Sequence, residues 1–297
     1  MTKAFISLDW GTTSFRAYRV DSNGQLSDQV SAPEGIMAVK DGKFEDVLEH
    51  HIGAWDKALP IVASGMITSR QGWVECAYVD CPAGSDELAK AIHIHQTKTG
   101  RKIHFITGLH HLSPSISHDV LRGEETQVIG SLGYGATHFV TPGTHSKIID
   151  VELGRISGFA TYMTGETFGL YRNHSILGRL MTGDDKDEAA FKQGVEKAFA
   201  DPSGILHLLF STRTLGLFNS IKPESLSSYL SGLLIGQEVA HATQHHSKSA
   251  AYQVLGSASV GSNYVAALKM AGFNVTLGDP LCGVYGQRII ATKAGVI

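Results

Sequence analysis

Cysteine is scarce in this 297-residue chain: Cys76, Cys81 and Cys282 make an odd set with no paired metal spacing. Neither a disulfide framework nor a zinc site is therefore indicated, and free thiols are expected. No apolar run approaches the ~20 residues that cross a bilayer. Neither charge sign dominates. A net charge of −3 offers no global attraction for nucleic acid or an anionic membrane, so an anionic small substrate needs local Arg or Lys. A Gly-x-x-x-x-Gly-Lys-Ser/Thr loop is also missing, which argues against a P-loop kinase. Histidine is plentiful, but His110-His111, His245-His246 and His93-x-His95 lack a third ligand at a diagnostic spacing, so surface or loop positions are expected. Met1-Thr2-Lys3 runs into strand-like residues without a signal peptide, and the expected location is the cytoplasm.

What is present describes a folded protein. Hydrophobic residues make up 42% and charged residues 18%, and the length suits two cores of ordinary size, hence two domains. Phe5 to Val20 reads as strand, tight turn, strand, with Gly11, Thr12 and Thr13 in the turn. Gly11 allows close backbone approach, and the threonines add hydroxyls to the backbone donors. Asp9, at a strand end, is placed to hold hydrated Mg²⁺. A third strand is expected over Leu26–Ser31 and a helix over Phe44–Leu59, closed by Pro60.

The strand Ile61–Met66 leads into a loop with Ser69, Arg70, Gln71 and Trp73, a polar pocket with an aromatic wall. Arg70 suits a substrate carboxylate by bidentate hydrogen bonding; a structural loop ion pair is the competing reading. A short helix is expected over Leu88–Gln96, then a strand over Lys102–Gly108. Pro and polar residues in 110–117 mark a domain change, giving domains 1–116 and 117–297. Glu124 and Glu125 open a helix whose apolar side is Val128, Ile129 and Leu132. Helix capping explains one of them, and a general base beside Arg122 and Gly123 accounts for two. Thr137–Val151 repeats the strand, Gly-Thr turn, strand pattern with Gly143, Thr144 and His145 in its turn. A largely helical stretch follows from about Thr167 to His241. Gly256, Ser257 and Ala258 end a later strand with small residues that suit adenosine, or simple strand–helix packing.

Five segments, in order, resemble the 2-dehydro-3-deoxygalactonokinase family over almost the full length: Asp9-Trp10-Gly11-Thr12-Thr13, Gly65 to Trp73, Arg122-Gly123-Glu124-Glu125-Thr126-Gln127, Pro142 to Lys147, and Met163-Thr164-Gly165-Glu166. The Ser-Arg-Gln-Gly-Trp and Arg-Gly-Glu-Glu-Thr blocks are its specific parts. The resemblance implies an α/β, two-domain actin-like ATPase (ribonuclease H-like) fold with an interdomain cleft. It also implies ATP-dependent phosphorylation of the 6-hydroxyl of 2-dehydro-3-deoxy-D-galactonate in galactonate breakdown. By the same analogy Gly11, Thr12 and Thr13 face phosphates from one domain and Gly143, Thr144 and His145 from the other. Asp9 serves Mg²⁺, Glu124 or Glu125 is the base, and Gly256, Ser257 and Ala258 lie by the adenosine of ATP. Ser69, Arg70, Gln71, Trp73 and Arg122 are the substrate candidates. A homodimer is left open, with no patch identified for it.

Three rivals share parts of this pattern. A ribonuclease H-type nuclease has the same opening strands, but the charge balance and the second Gly-Thr hairpin weigh against it. A sibling kinase would use the same mechanism on another sugar or sugar acid. A nucleotide or sugar-acid binding protein would turn over no ATP.

Overall fold

Alternation of apolar residues in the first 20 positions builds the first sheet. Phe5, Ile6, Leu8 and Trp10 are buried in β1 (Phe5–Trp10), as are Phe15, Ala17 and Val20 in β2 (Phe15–Val20). The computed structural model describes residues 3–183, 185–256 and 258–297. After β3 (Leu26–Ala32) come α1 (Phe44–Ile52), β4 (Ile61–Ser64), β5 (Val79–Asp80), α2 (Ser85–Lys90), β6 (His93–Gln96), β7 (Lys102–Phe105), β8 (Leu109–His111), β9 (Asp119–Leu121) and α3 (Glu124–Ser131). The main sheet has the order β3-β2-β1-β4-β7-β6, and β5-β8-β9 form a small sheet. β1 runs antiparallel to β2 and parallel to β4, so the ends of β1 and β4 point the same way. Trp10, Phe15, Phe44, Leu48, Ile61 and Phe105 lie in the core between this sheet and α1.

Two helical expectations change. α1 stops at Ile52, although Trp55 stays buried. The fully buried Arg101 pairs with Glu49 at 2.8 Å and donates to the carbonyls of Ile52 and Trp55, satisfying the helix end. Over Leu88–Gln96 the helix ends at Lys90, and His93–Gln96 form a strand antiparallel to β7. Ile94 is 58% exposed, so this segment has no apolar helical face to bury, and ladder pairing with β7 decides.

The second half continues with β10 (His138–Thr141), β11 (Ser146–Glu152), β12 (Arg155–Tyr162), α4 (Thr164–His174), α5 (Glu188–Ala200), α6 (Ile205–Leu217), α7 (Leu226–Ala242), β13 (Ala251–Val254), α8 (Ala258–Met270), β14 (Asn274–Leu277) and α9 (Cys282–Lys293). Its sheet has the order β12-β11-β10-β13-β14, with β10, β13 and β14 parallel. The order third-second-first-fourth thus occurs in both sheets. Val140, Val195, Val239, Tyr252, Val254 and Leu268 are among its core residues.

The chain divides into two compact units. One comprises residues 3–134, 150–159 and 279–297, and the other 135–149 and 160–278. The last helix, α9, therefore belongs with the N-terminal sheet. Among the described residues no helix is long and apolar enough to cross a membrane.

Candidate active site

In the first unit the β1–β2 turn is closed by the Gly11 N–H donating to the Ser14 carbonyl at 2.9 Å, leaving Thr12 and Thr13 exposed. The segment after β3 supports the turn from below. Ile36 N–H donates to Gly11 O, Met37 N–H to Thr12 O, and the Trp10 indole to Glu34 O. Gly35 lies so close that a Cβ there would stand 2.2 Å from the Thr12 carbonyl oxygen. This buttress was missed from sequence, where Glu34-Gly35 carries no distinctive signal.

Asp9 sits beside the turn, partly exposed and 3.3 Å from the Arg16 guanidinium. Loss of hydration pushes its carboxyl above the ordinary range. The Arg16 charge opposes that rise, and the nearby Glu124 charge adds to it. Residues 9 and 124 are thus brought into electrostatic reach at the end of a strand and the start of a helix.

The start of α3 is held by its own chain. The Glu124 carboxylate accepts from the Arg122 N–H at 2.9 Å, the Glu125 carboxylate from the Gly123 N–H at 2.6 Å, and the Thr126 hydroxyl donates to Gly123 O at 2.7 Å. The two glutamates differ sharply in surroundings. Glu124 is half-buried, whereas Glu125 is wholly buried and its Oε1 has no hydrogen-bond partner. Burial, reinforced by the Glu124 charge, pushes the Glu125 carboxyl up to about 8.

The candidate substrate residues separate into two sets. Arg70 and Gln71 are exposed, and Arg70 makes a solvent-facing ion pair with Glu75 at 3.1 Å. Ser69 is buried and donates to Met66 O, and Trp73 stacks on Phe44 and edges onto Phe105 in the core. Arg122 is buried. It donates to the Thr68 carbonyl and hydroxyl and to Cys76 O, with its guanidinium 4.1 Å from the Tyr78 ring centroid. These bonds fasten the loop after β4 to the residue that precedes α3.

In the second unit Gly143, Thr144 and His145 form the exposed β10–β11 turn. The first turn of α4 packs against it. Glu166 N–H donates to Thr144 O, the Glu166 carboxylate meets His145 Nε2 at 2.6 Å, and a Cβ on Gly165 would stand 2.3 Å from Gly143 O. A cavity of about 750 Å³ opens here, within the range of small-ligand sites. Gly143 and Thr144, Thr164 and Gly165 of α4, Ser231 of α7, and Asn263 of α8 all line it. Gly256 takes a positive φ of 124° just before α8. Ser257 and the Ala258 side chain lie outside the described residues. Sequence reasoning missed Phe168, Arg172, Lys186 and Asn263 in this lining. A usable signal exists for two of them: Thr164, Phe168 and Arg172 recur every four residues on a helix with no buried residue.

The family model for 2-keto-3-deoxy-galactonokinase matches residues 9–284. A 2-dehydro-3-deoxygalactonokinase from Escherichia coli (strain K12) is 32% identical over 278 residues, covering 93% of each chain. A crystal structure of a Sinorhizobium meliloti protein assigned as a 2-dehydro-3-deoxygalactonokinase superposes with a TM-score of 0.88 at 33% identity, covering 97% of this chain and 98% of that one. The xylulose kinase of Lactobacillus acidophilus, at 12% identity and a TM-score of 0.53 over 98% of this chain and 89% of that one, shares the fold, which is that of the actin-like ATPases and sugar kinases.

Proposed function

Because this chain belongs to the 2-keto-3-deoxy-galactonokinase family, we propose that it transfers the γ-phosphoryl group of ATP to the 6-hydroxyl of 2-dehydro-3-deoxy-D-galactonate, a step of galactonate catabolism. Within the molecule, the observation that carries the reading is the meeting of the Asp9 and Glu124 charges beside a Gly-Thr turn. Phosphoryl transfer needs a carboxylate to take the hydroxyl proton and groups that neutralise phosphate charge, and little else.

We assign the base to Glu124. It is accessible, and its carboxylate is oriented by the Arg122 N–H. Glu125, buried and holding its proton near neutral pH, orients the Gly123 peptide instead. In the reaction Glu124 receives the proton of the 6-hydroxyl, that oxygen bonds to the γ-phosphorus, and the bond from phosphorus to the bridging oxygen breaks to leave ADP. The oxygen donors of Asp9 suit a hard divalent cation, whose charge would also relieve the repulsion from Glu124. Asp9 would hold Mg²⁺, which would supply charge neutralisation to the phosphates.

The second unit takes the nucleotide in the cavity beside the β10–β11 turn, with Gly143, Thr144 and His145 toward the phosphates and the strand end at Gly256–Ala258 toward the adenosine. Gly11, Thr12 and Thr13 serve phosphate from the first unit. Arg70, facing solvent, exchanges Glu75 for the sugar-acid carboxylate, while Arg122, Ser69 and Trp73 hold the loop that carries it, with Gln71 beside Arg70.

The test is ADP release with Mg²⁺ and ATP across sugar acids and neutral sugars, including the substrate and its gluconate epimer. Release that strongly favours the galactonate compound is expected. Release with a different acceptor would keep the mechanism and reject the substrate, and ATP binding without turnover on any acceptor would reject the kinase reading.

A further inference from the structure

Glu238 of α7 is a charged side chain that the proposed mechanism does not use, yet it is only 2% exposed. Its Oε2 accepts from the Ser146 hydroxyl at 2.8 Å and from the Tyr264 hydroxyl at 2.7 Å. The Thr164 hydroxyl lies beside the same carboxyl group and helps to lower its pKa. Oε1 is buried with no partner. These hydroxyls come from separate elements. Ser146 directly follows the β10–β11 turn, Thr164 opens α4, and Tyr264 lies in α8. Thr164 and Tyr264 line the cavity beside that turn, and Gly143 and Thr144 line it from the turn itself. Lys147, next along β11, donates to His145 O at 2.9 Å and adds a cation near the carboxyl group.

We propose that Glu238 is a positioning residue for the nucleotide: one buried carboxyl group that sets the β10–β11 turn, the start of α4 and α8 at the spacing the cavity requires. The inference rests on the reading of that cavity as the nucleotide site. A buried carboxyl group is costly to hold, and hydrophobic packing alone would join these elements at lower cost. What a carboxylate adds is geometry, because one oxygen accepting several hydroxyls fixes the relative height and rotation of the elements that bear them. Loss of hydration raises the Glu238 pKa, and the Thr164, Tyr264 and Ser146 hydroxyls and the Lys147 charge draw it back.

The test is calorimetric titration of the full-length protein with MgADP, together with steady-state kinetics, for Glu238→Leu, Glu238→Gln and Ser231→Trp. Glu238→Leu removes the acceptor and is expected to weaken ADP binding and raise the KM for ATP by about ten-fold or more, with the KM for the sugar acid unchanged. Glu238→Gln keeps an acceptor oxygen in place and is expected to stay within about three-fold of the wild type. Ser231→Trp fills the cavity and is expected to abolish ADP binding. Wild-type ADP affinity in Glu238→Leu, with none in Ser231→Trp, would overturn the role of Glu238 and leave the cavity assignment standing. Wild-type affinity in Ser231→Trp would overturn the cavity assignment and this inference with it. Should Glu238→Leu not fold, Tyr264→Phe deletes a single hydroxyl, and a loss of about three-fold in ADP affinity is expected, with no loss overturning the proposal.

Discussion

Gly65 and Gly123 touch across the end of β4 and the start of α3: a Cβ added to Gly123 would stand 3.2 Å from the Gly65 Cα. Both have positive φ, 96° and 111°. A Cβ on Gly65 would also stand 3.2 Å from Asp9 Oδ1. The two glycines therefore let three chain segments converge on Asp9 and Glu124: a side chain on Gly65 would press on the Asp9 carboxylate, and one on Gly123 on the Gly65 backbone.

Gly123→Ala is accordingly expected to lower stability by about 1–3 kcal/mol, since the positive φ and the close approach both penalise a side chain. Turnover should fall further than stability accounts for, because the successive Arg122 and Gly123 peptides that orient the two glutamates must shift. Urea denaturation beside kcat measures the two. A variant with wild-type turnover would show that this convergence has no catalytic role.

Glu124→Gln should reduce kcat by about 10²–10⁴-fold, the usual worth of a general base, while the Kd for ATP stays near the wild type. Glu125→Gln should retain most turnover, because the amide oxygen can still accept from the Gly123 N–H. The reverse pattern would move the base to Glu125. Two normal variants would remove both from the mechanism.

The buried Glu125 also predicts a pH dependence of stability. Its carboxyl group rises from the ordinary 4.5 to about 8 on folding. A raised folded value means that stabilisation is complete below the unfolded value and is lost as pH climbs through the folded one. Wild-type stability should therefore fall between about pH 4.5 and 8, with a slope up to about 1.4 kcal/mol per pH unit from this group. Glu125→Gln cannot titrate, so its melting temperature should decline less over that window. Parallel melting curves for the two proteins would contradict the assignment.

Arg70 and Arg122 should part in opposite ways. Arg70→Ala removes an exposed pair, so stability is expected to change by less than about 1 kcal/mol while the KM for the sugar acid rises and that for ATP does not. Arg122→Ala strips a buried guanidinium from three acceptors and should lower stability by about 3 kcal/mol or more. Equal acceptor KM values in Arg70→Ala and the wild type would leave the substrate carboxylate without its partner.

The sheets and both Gly-Thr turns were legible because their information is local: alternating burial and a short turn fall within a few residues, and the pattern occurs twice. The contrast between Glu124 and Glu125 was not. Adjacent helical residues point in different directions, and only tertiary packing decides which carboxyl group loses its water. Arg122 reads as a ligand-binding arginine beside Gly123 and two glutamates, but its acceptors lie 46 and 54 positions away, a separation that periodicity does not register. The same holds for Arg101, whose partners end a helix in another part of the sequence. Asn263 and Lys186 gave no warning at all, since single polar residues on a helix and in a loop are commonplace.

The last helix has a consequence for how the protein is made. Gln287 of α9 accepts from the Ser7 hydroxyl, and its amide donates to Leu8 O and the Ser64 hydroxyl, all inside the N-terminal sheet. These partners sit one or two residues before Asp9 and Gly65. On the ribosome, β1 and β4 must wait for a helix made 223 to 280 residues later. The hydrogen bonding of β1 and β4 is complete only once α9 has been made, and a chain cut before Gln287 leaves its earliest-made strands as the part unfinished.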